Sequence, residues 1–312
     1  MYYPYFRGRQ SELLALRDTA SKLAVKKRII PIIEPVMANT GGLTTFLETA
    51  KSQHPHVVIT NPAVGELVGQ TTAIEALIAP YFAIVGNEII PGFLVGPTTT
   101  AAHINAFLTK HGRRATVIVF DRPVQASIQG AIPRVLAAHV KPVAVFVEGK
   151  VSPSLIHALG ALKNVLVRDG FIAQARNADY PPLDFFSDLH NTYVTSGYHG
   201  FGDFSVVGDG YNPSGGPAHA VAIHLTELNA NREIDANHFV SNRTTGNVDT
   251  AGKFMEALDK LVNHVRARRH SFAYSQARAE FEAHHLSQHF PGLPTVKRLS
   301  IRHHLELIES II

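Results

Sequence analysis

The segment TVIVFDRP, from Thr116 to Pro123, carries the pattern that decides the predicted fold. Four apolar residues are followed at once by an aspartate and, two positions later, by a proline. An apolar run without polar alternation is typical of a parallel strand that is buried on both faces. Because proline cannot donate a hydrogen bond to a ladder, it marks the place where the chain leaves the strand for a loop.

Similar segments recur along the first two thirds of the chain. The other seven are Tyr3–Gly8, Ile29–Pro35, Val57–Pro62, Ile89–Pro97, Pro142–Gly149, Asn164–Gly170 and Asp203–Asp209. Between them, apolar residues recur at helical spacing, as in Leu43, Phe46 and Leu47. Eight strands that alternate with helices over about 210 residues predict an α/β fold, a (β/α)8 TIM-type barrel. A doubly wound open sheet is the alternative, but it normally contains fewer strands.

The pattern changes after the eighth segment. The runs His219–Leu228 and Glu233–Ser241 flank a short polar turn and predict a β-hairpin. Three helices are then expected near Thr250–Arg268, Ser271–His284 and Thr295–Ile311. We therefore expect a barrel over residues 1–210, and a hairpin with a basic helical extension over residues 211–312 that packs on the barrel.

The composition narrows the class of protein. The chain has 312 residues and no cysteine, which excludes disulfides, zinc–thiolate sites and thiol nucleophiles. No segment approaches the roughly 18 apolar residues of a membrane span, and the first residues lack the pattern of a signal peptide. The sequence predicts a cytoplasmic protein with no membrane contact.

Charged residues follow most of the predicted strands, at the end of a barrel where reactive side chains lie. These residues and one amide are Arg7, Glu34, Asn61, Asp121, Glu148, Arg168, Asp169, Asp203 and Asp209. We predict Glu34, Asp121, Glu148 and Asp203 as catalytic acids and bases. Glu34, Glu148 and Asp209 are the predicted ligands of Mg²⁺ or Mn²⁺, which prefer oxygen donors. The alternative is that polar residues after a strand only form turns.

Arg7 and Arg168 are the predicted partners of a substrate phosphate. The stretch from Gly200 to Pro217, GFGDFSVVGDGYNPSGGP, has six glycines and lies at the predicted eighth strand. Gly208 and Gly210 there can let backbone N–H groups approach a phosphate closely. They can equally provide a path with positive φ into the hairpin.

Basic residues concentrate near the C-terminal end. The segment from Asn263 to His304 has seven Lys or Arg and two Glu, whereas the whole chain has a net charge of +4. The candidate contacts to nucleic acid or to an acidic partner are Arg266, Arg268, Arg269, Lys297, Arg298 and Arg302. A solvated helix face is the alternative explanation of this charge.

Three stretches of the chain resemble the Beta protein family of prokaryotes and phages. They are YYPYFRGRQSELLALRD at residues 2–18, IIPIIEP at residues 29–35, and DLHNTYVTSGYHGFGDFSVVGDGYNPSGGPAHAVAIHLTEL at residues 188–228. The resemblance spans nearly the whole chain. It implies a mobile-element or phage-defence locus and a nuclease-like protein partner. It assigns no biochemical activity and no catalytic residue.

Two functions follow from these observations. The first is a metal-assisted hydrolase that acts on a phosphorylated or nucleotide-like substrate at the mouth of the barrel. The second is a non-catalytic subunit whose basic helices bind nucleic acid or another protein. The acidic strand ends favour the first function, and the separate basic segment favours the second.

Overall fold

The structure is a computed structural model that describes residues 1–50, 53–83, 88–140, 142–213, 216, 218–268 and 273–312. The chain divides into two compact units. The barrel unit comprises Met1–Arg9, Ala20–Asp169 and Thr192–Phe204. The C-terminal unit comprises Gln10–Thr19, Gly170–Asn191 and Ser205–Ile312. The packing of residues 211–312 on the barrel stays a prediction.

Strands and helices alternate through most of the described chain. The strands are β1 (Tyr5–Phe6), β2 (Ile32–Ile33), β3 (His56–Ile59), β4 (Ile89–Leu94), β5 (Val117–Phe120), β6 (Val143–Val147), β7 (Asn164–Arg168), β8 (Leu183–Ser187), β9 (Gly200–Asp203), β10 (Ala222–Leu228) and β11 (Ile234–Val240). The helices are α1 (Gln10–Lys26), α2 (Gly41–Ala50), α3 (Thr71–Ile78), α4 (Ala101–His111), α5 (Ala126–Gln129), α6 (Ile132–Ala137), α7 (Pro153–Ala158), α8 (Leu189–Thr192), α9 (Thr250–Ala267), α10 (Gln276–Ser287) and α11 (Leu293–Ile311).

The barrel unit is built on a parallel sheet with the strand order β1-β2-β3-β4-β5-β6-β7-β9 among the described residues. A parallel bridge between Tyr2 and Phe201 brings the last strand beside the first. The Tyr3 amide donates to the Phe201 carbonyl over 2.7 Å, and the Phe201 amide donates to the Met1 carbonyl over 3.0 Å. These bonds leave the sheet nearly closed, and the prediction of a (β/α)8 TIM-type barrel is confirmed.

The last barrel strand differs from the prediction. Asp203–Asp209 was expected to form it, but the strand is Gly200–Asp203, and Ser205–Val207 form a 3₁₀ turn. A Cβ on Gly200 or Gly202 would clash with Tyr3 or Met1, so only glycine lets this strand approach the first one. Ser205, at φ 51°, then turns the chain out of the extended conformation.

The barrel strands are covered by apolar side chains on both faces, inside the barrel and beneath the helices. The interior is filled mainly by β-branched side chains, among them Ile32, Val57, Val119, Val145 and Val167. The outer layer packs α4, α6 and α7 on the other face of the central strands. Burial on both faces explains why these strands are continuous apolar runs.

The C-terminal unit contains an antiparallel sheet with the order β10-β11-β8 among the described residues. The predicted hairpin is confirmed as β10 and β11, with His224 opposite His238. The third strand of this sheet, β8, was not predicted. The three predicted C-terminal helices are present as α9, α10 and α11.

Helix α11 covers the free edge of β10 with buried histidines. His303 donates from Nε2 to the Thr226 carbonyl over 2.8 Å, and His304 Nδ1 lies 2.9 Å from Thr226 Oγ1. Both rings are fully buried. Within the described part of the chain, every helix is too short or too polar to span a bilayer.

Candidate functional site at the barrel mouth

Strand geometry divides the predicted site residues into two sets. Side chains alternate between the two faces of a strand, so every second residue faces the barrel interior. Arg7, Glu34 and Asp121 each lie two positions after a side chain of the interior cluster, so they face inward at the mouth. Glu148 lies two positions after Phe146 of the outer layer, so its side chain faces outward, away from Arg7, Glu34 and Asp121.

Two hydrogen-bonded groups at the mouth interact through their charges, and together we call them the mouth network: Tyr5 and Arg7 with Glu34, and Arg122 with Asp121. Glu34 is fully buried, and its Oε2 accepts from the Tyr5 hydroxyl over 2.8 Å and from Arg7 Nη1. Its Oε1 accepts from the Ala63 amide over 2.7 Å. Burial raises the pKa of Tyr5 well above its usual value, and the charge of Glu34 raises it further. Tyr5 is therefore a neutral hydrogen-bond donor.

Arg122 completes the mouth network by binding its neighbour in the sequence. Its Nε and Nη2 donate to the two carboxylate oxygens of Asp121 over 2.8 and 2.9 Å. This two-point contact fixes the plane of the guanidinium, whose side chain remains 30% exposed. The segment that predicted the fold thus also contains the most accessible arginine of the network.

The outward-facing residues have partners of their own. Arg168 donates to both oxygens of Glu148 over 2.6 and 3.0 Å. Asp203 is buried and accepts from the Tyr2 hydroxyl over 2.7 Å. Asn61 instead lies two positions after Ile59 of the interior cluster. Its side-chain amide bonds to both backbone groups of Leu94, each over 2.8 Å, and so extends the ladder between β3 and β4.

These contacts do not fit the predicted Mg²⁺ or Mn²⁺ site. The carboxylate oxygens of Glu34, Asp121 and Glu148 accept hydrogen bonds from arginines, a tyrosine and an amide, where a cation would need oxygens directed at it. Asp209 belongs to the C-terminal unit. Within the described ranges, no group of three or more histidine, aspartate and glutamate side chains can hold a metal ion.

The two glycines predicted to bind phosphate differ in conformation. Gly208 has φ 79°, which a residue with a side chain rarely adopts. Gly210 lies outside the positive-φ region, and a Cβ there would meet no atom within 4 Å. Only Gly208 therefore needs to be glycine on conformational grounds, and this need supports the interpretation as a turn.

A cavity of about 420 Å³ lies between α3 and α4 at the carboxyl ends of β3 and β4. We call it the α3–α4 groove. Its apolar wall is formed by Phe93 and Phe107, whose ring centroids are 5.1 Å apart. Its polar wall is formed by Thr60, Asn61, Thr71, Glu75, Thr98, Thr99, His103 and Lys110.

The groove lies beside the mouth network. A Cβ on Gly96 would be 3.6 Å from Arg122 Cδ and 4.0 Å from Thr99 Oγ1, so Gly96 separates the arginine from the groove wall. The Gly96 amide donates to Thr99 Oγ1 over 2.8 Å and holds this hydroxyl in place. A ligand in the groove can therefore extend toward the guanidinium of Arg122.

Two capping contacts order the rim of the groove. Thr100 caps α4 by accepting from the His103 amide over 3.2 Å, and His103 Nδ1 accepts from the Thr100 amide over 3.3 Å. Lys110 is paired with Glu75 across the groove. The sequence prediction missed His103, Lys110 and Arg122. The run of three threonines before α4 and the arginine after Asp121 were the available signals.

The predicted basic contacts are mostly paired with carboxylates. Arg268 binds Glu227, and Arg298 binds Glu280, each over 2.5 Å. The Arg302 side chain is only 11% exposed and bonds to Glu306. Arg266 is exposed, whereas Lys297 is only partly exposed. Arg269 lies outside the described residues.

Comparison with known proteins gave no match: no family model, no curated protein and no solved structure is similar to this chain. The resemblance to the Beta protein family, with its implied defence locus and nuclease-like partner, therefore stays a prediction.

Proposed function

We propose that the barrel binds a small phosphorylated, nucleotide-like ligand in the α3–α4 groove. The observation that carries the proposal is the composition of this cavity at the carboxyl end of the strands, where barrels bind their ligands. A volume near 420 Å³ suits a ligand with one ring system and one phosphate.

The two walls of the groove favour different parts of such a ligand. Phe93 and Phe107 offer an apolar aromatic surface for a flat ring. Hydroxyls of Thr98 and Thr99 can donate to phosphate oxygens, and Arg122 lies on the far side of Gly96 from Thr99. The ring is therefore placed inside the groove, with the phosphate toward the barrel mouth.

Charge limits the number of phosphates. Lys110 is balanced by Glu75, and Arg122 is balanced by Asp121. Since the nearby cations are neutralised in this way, the groove has little net positive charge to attract a polyanion. We expect a monophosphate to bind more tightly than the corresponding triphosphate.

This proposal concerns binding rather than metal-assisted hydrolysis, because the carboxylates of the mouth are occupied by internal donors. Hydrolysis stays a prediction from the sequence. The proposed contact with nucleic acid or an acidic partner stays one as well, since Arg268, Arg298 and Arg302 are paired with glutamates.

Isothermal titration with AMP, ATP, adenosine and ribose 5-phosphate tests the proposal. We expect AMP to bind more tightly than the other three ligands. Arg122→Met should weaken AMP binding about tenfold, the value of one charge-assisted contact, and leave adenosine binding unchanged. Lys163→Met is the matched control, since exposed Lys163 precedes β7 at the opposite end of the barrel. If neither AMP nor ribose 5-phosphate binds at millimolar concentration, the proposal is wrong.

A further inference from the structure

Three side chains in the C-terminal unit form a chain of acid–base groups that the groove does not involve. His224 and His238 lie opposite each other on β10 and β11, and their Nδ1 atoms are 2.7 Å apart. His238 Nε2 lies 3.3 Å from Asp184 Oδ2 on β8. All three side chains project from one face of the antiparallel sheet, because Asp184 is opposite Ala236, two residues before His238.

The order of these groups fixes the proton positions. Asp184 Oδ2 and His238 Nε2 are buried, lie 3.3 Å apart and have no other hydrogen-bond partner among the described residues, so the carboxylate charge favours the proton of His238 on Nε2 and leaves a lone pair on Nδ1. The hydrogen bond between the two rings then requires the proton on Nδ1 of His224. Among these three side chains, the ring nitrogen that keeps an unshared lone pair is Nε2 of His224. This lone pair is available to act as a nucleophile.

The residues around His224 keep its ring neutral and in position. The rings of Phe171 and Tyr180 lie 5.0 and 4.6 Å from that of His224, centroid to centroid. Burial, together with the smaller effects of His238 and Lys297, lowers the pKa of His224 to about 3. His238 is only 5% exposed, whereas His224 is partly exposed. Solvent therefore reaches this group of side chains at His224.

We propose that Asp184, His238 and His224 form a proton relay, and that Nε2 of His224 accepts a phosphoryl group. Lys297 of α11 is close enough to act electrostatically on His224, and its positive charge favours an anionic group at this nitrogen. His224 is the reacting residue, whereas His238 and Asp184 are positioning residues. The inference is independent of the ligand proposed for the α3–α4 groove.

The transfer balances with a simple donor such as phosphoramidate. The lone pair of His224 Nε2 forms the new N–P bond while the P–N bond of the donor breaks and its electron pair leaves with ammonia. The Nδ1 proton of His224 then moves to Nδ1 of His238, and the Nε2 proton of His238 moves to Asp184. The phosphorylated ring is left neutral.

The experiment exposes the purified full-length protein to potassium phosphoramidate and follows phosphohistidine by ³¹P NMR and by peptide mass spectrometry. Among the 18 histidines, we expect His224 to be labelled faster than exposed His103. Asp184→Asn should slow labelling at His224 by about tenfold or more, because the relay loses its acceptor, and leave His103 unchanged. His224→Gln should remove the label from its peptide.

The pH profile separates a relay from a merely structural role. Free N-acetylhistidine should react more slowly below its ordinary pKa of about 6.5, because protonation removes the lone pair. His224 should keep its rate at pH 5, since burial lowers its pKa to about 3. Thermal melts show whether each variant is folded. The proposal is overturned if His224 reacts no faster than His103, or if a folded Asp184→Asn variant reacts at the wild-type rate.

Discussion

Gly202, in the last strand of the barrel, lies so close to Tyr3 that a Cβ on Gly202 would overlap the Tyr3 carbonyl oxygen. This approach allows the bridge between Tyr2 and Phe201 that nearly closes the sheet. Part of the glycine-rich stretch therefore serves the fold, because a backbone without side chains is needed where the first and last strands meet.

Gly202→Ala should weaken this closure. The added methyl group forces the two strands apart, and we expect a loss of about 1–3 kcal/mol in the free energy of unfolding. Urea denaturation measures it. Gly130→Ala is the control, since a Cβ there meets no atom within 4 Å. Equal stability of the two variants would contradict the role assigned to Gly202.

Glu34→Gln and Glu148→Gln should differ in stability although both remove one carboxylate at a strand end. Glu34 is fully buried, and its loss leaves the guanidinium of Arg7 without its buried counter-charge, which costs about 3–5 kcal/mol. The Glu148 side chain is 43% exposed, so its ion pair with Arg168 contributes less than about 1 kcal/mol. Chemical denaturation of both variants tests this order, and a larger loss for Glu148→Gln would refute it.

Gly208→Ala and Gly210→Ala form a second matched pair. Gly208 has φ 79°, and a Cβ in this region costs about 1–2 kcal/mol. Gly210 has room for a side chain and no positive φ, so its alanine variant should be as stable as the wild type. Thermal melts distinguish the two. A stable Gly208→Ala variant would show that this loop adjusts without cost.

The stability of the protein should decrease in acid, in part because His303 takes up a proton when the chain unfolds. Burial lowers the pKa of His303 to about 4, whereas the unfolded chain has a value near 6.5. Between these values the unfolded chain binds a proton that the folded chain does not, so the free energy of unfolding decreases as the pH falls.

His303→Gln should make this pH dependence shallower by up to about 1.4 kcal/mol per pH unit between pH 6.5 and 4. The slope is compared rather than the absolute stability, because the variant also changes the hydrogen bonds of His303 to Ser275 and Thr226. Urea denaturation at a series of pH values gives both slopes. Parallel curves for wild type and variant would exclude His303 as the titrating group.

The sequence by itself determined seven of the eight barrel strands and their parallel arrangement. Runs such as Val117–Phe120 are apolar at every position, and burial on both faces accommodates such a run, so buried parallel strands follow from local composition. The number of these runs then favoured a barrel over an open sheet. The sequence also predicted that Arg7, Glu34 and Asp121 lie at strand ends, because each of them directly follows an apolar run.

Only the tertiary structure decided what those residues contact. Glu34 binds Arg7 and the Ala63 amide, and His224 meets His238 and Asp184, through backbones that come together across the sheets. A hydrogen bond depends on distances within a few tenths of an ångström, and sequence spacing does not specify these between distant segments. For the same reason the sequence predicted carboxylates for a metal ion, whereas the folded chain pairs them with its own arginines and tyrosines.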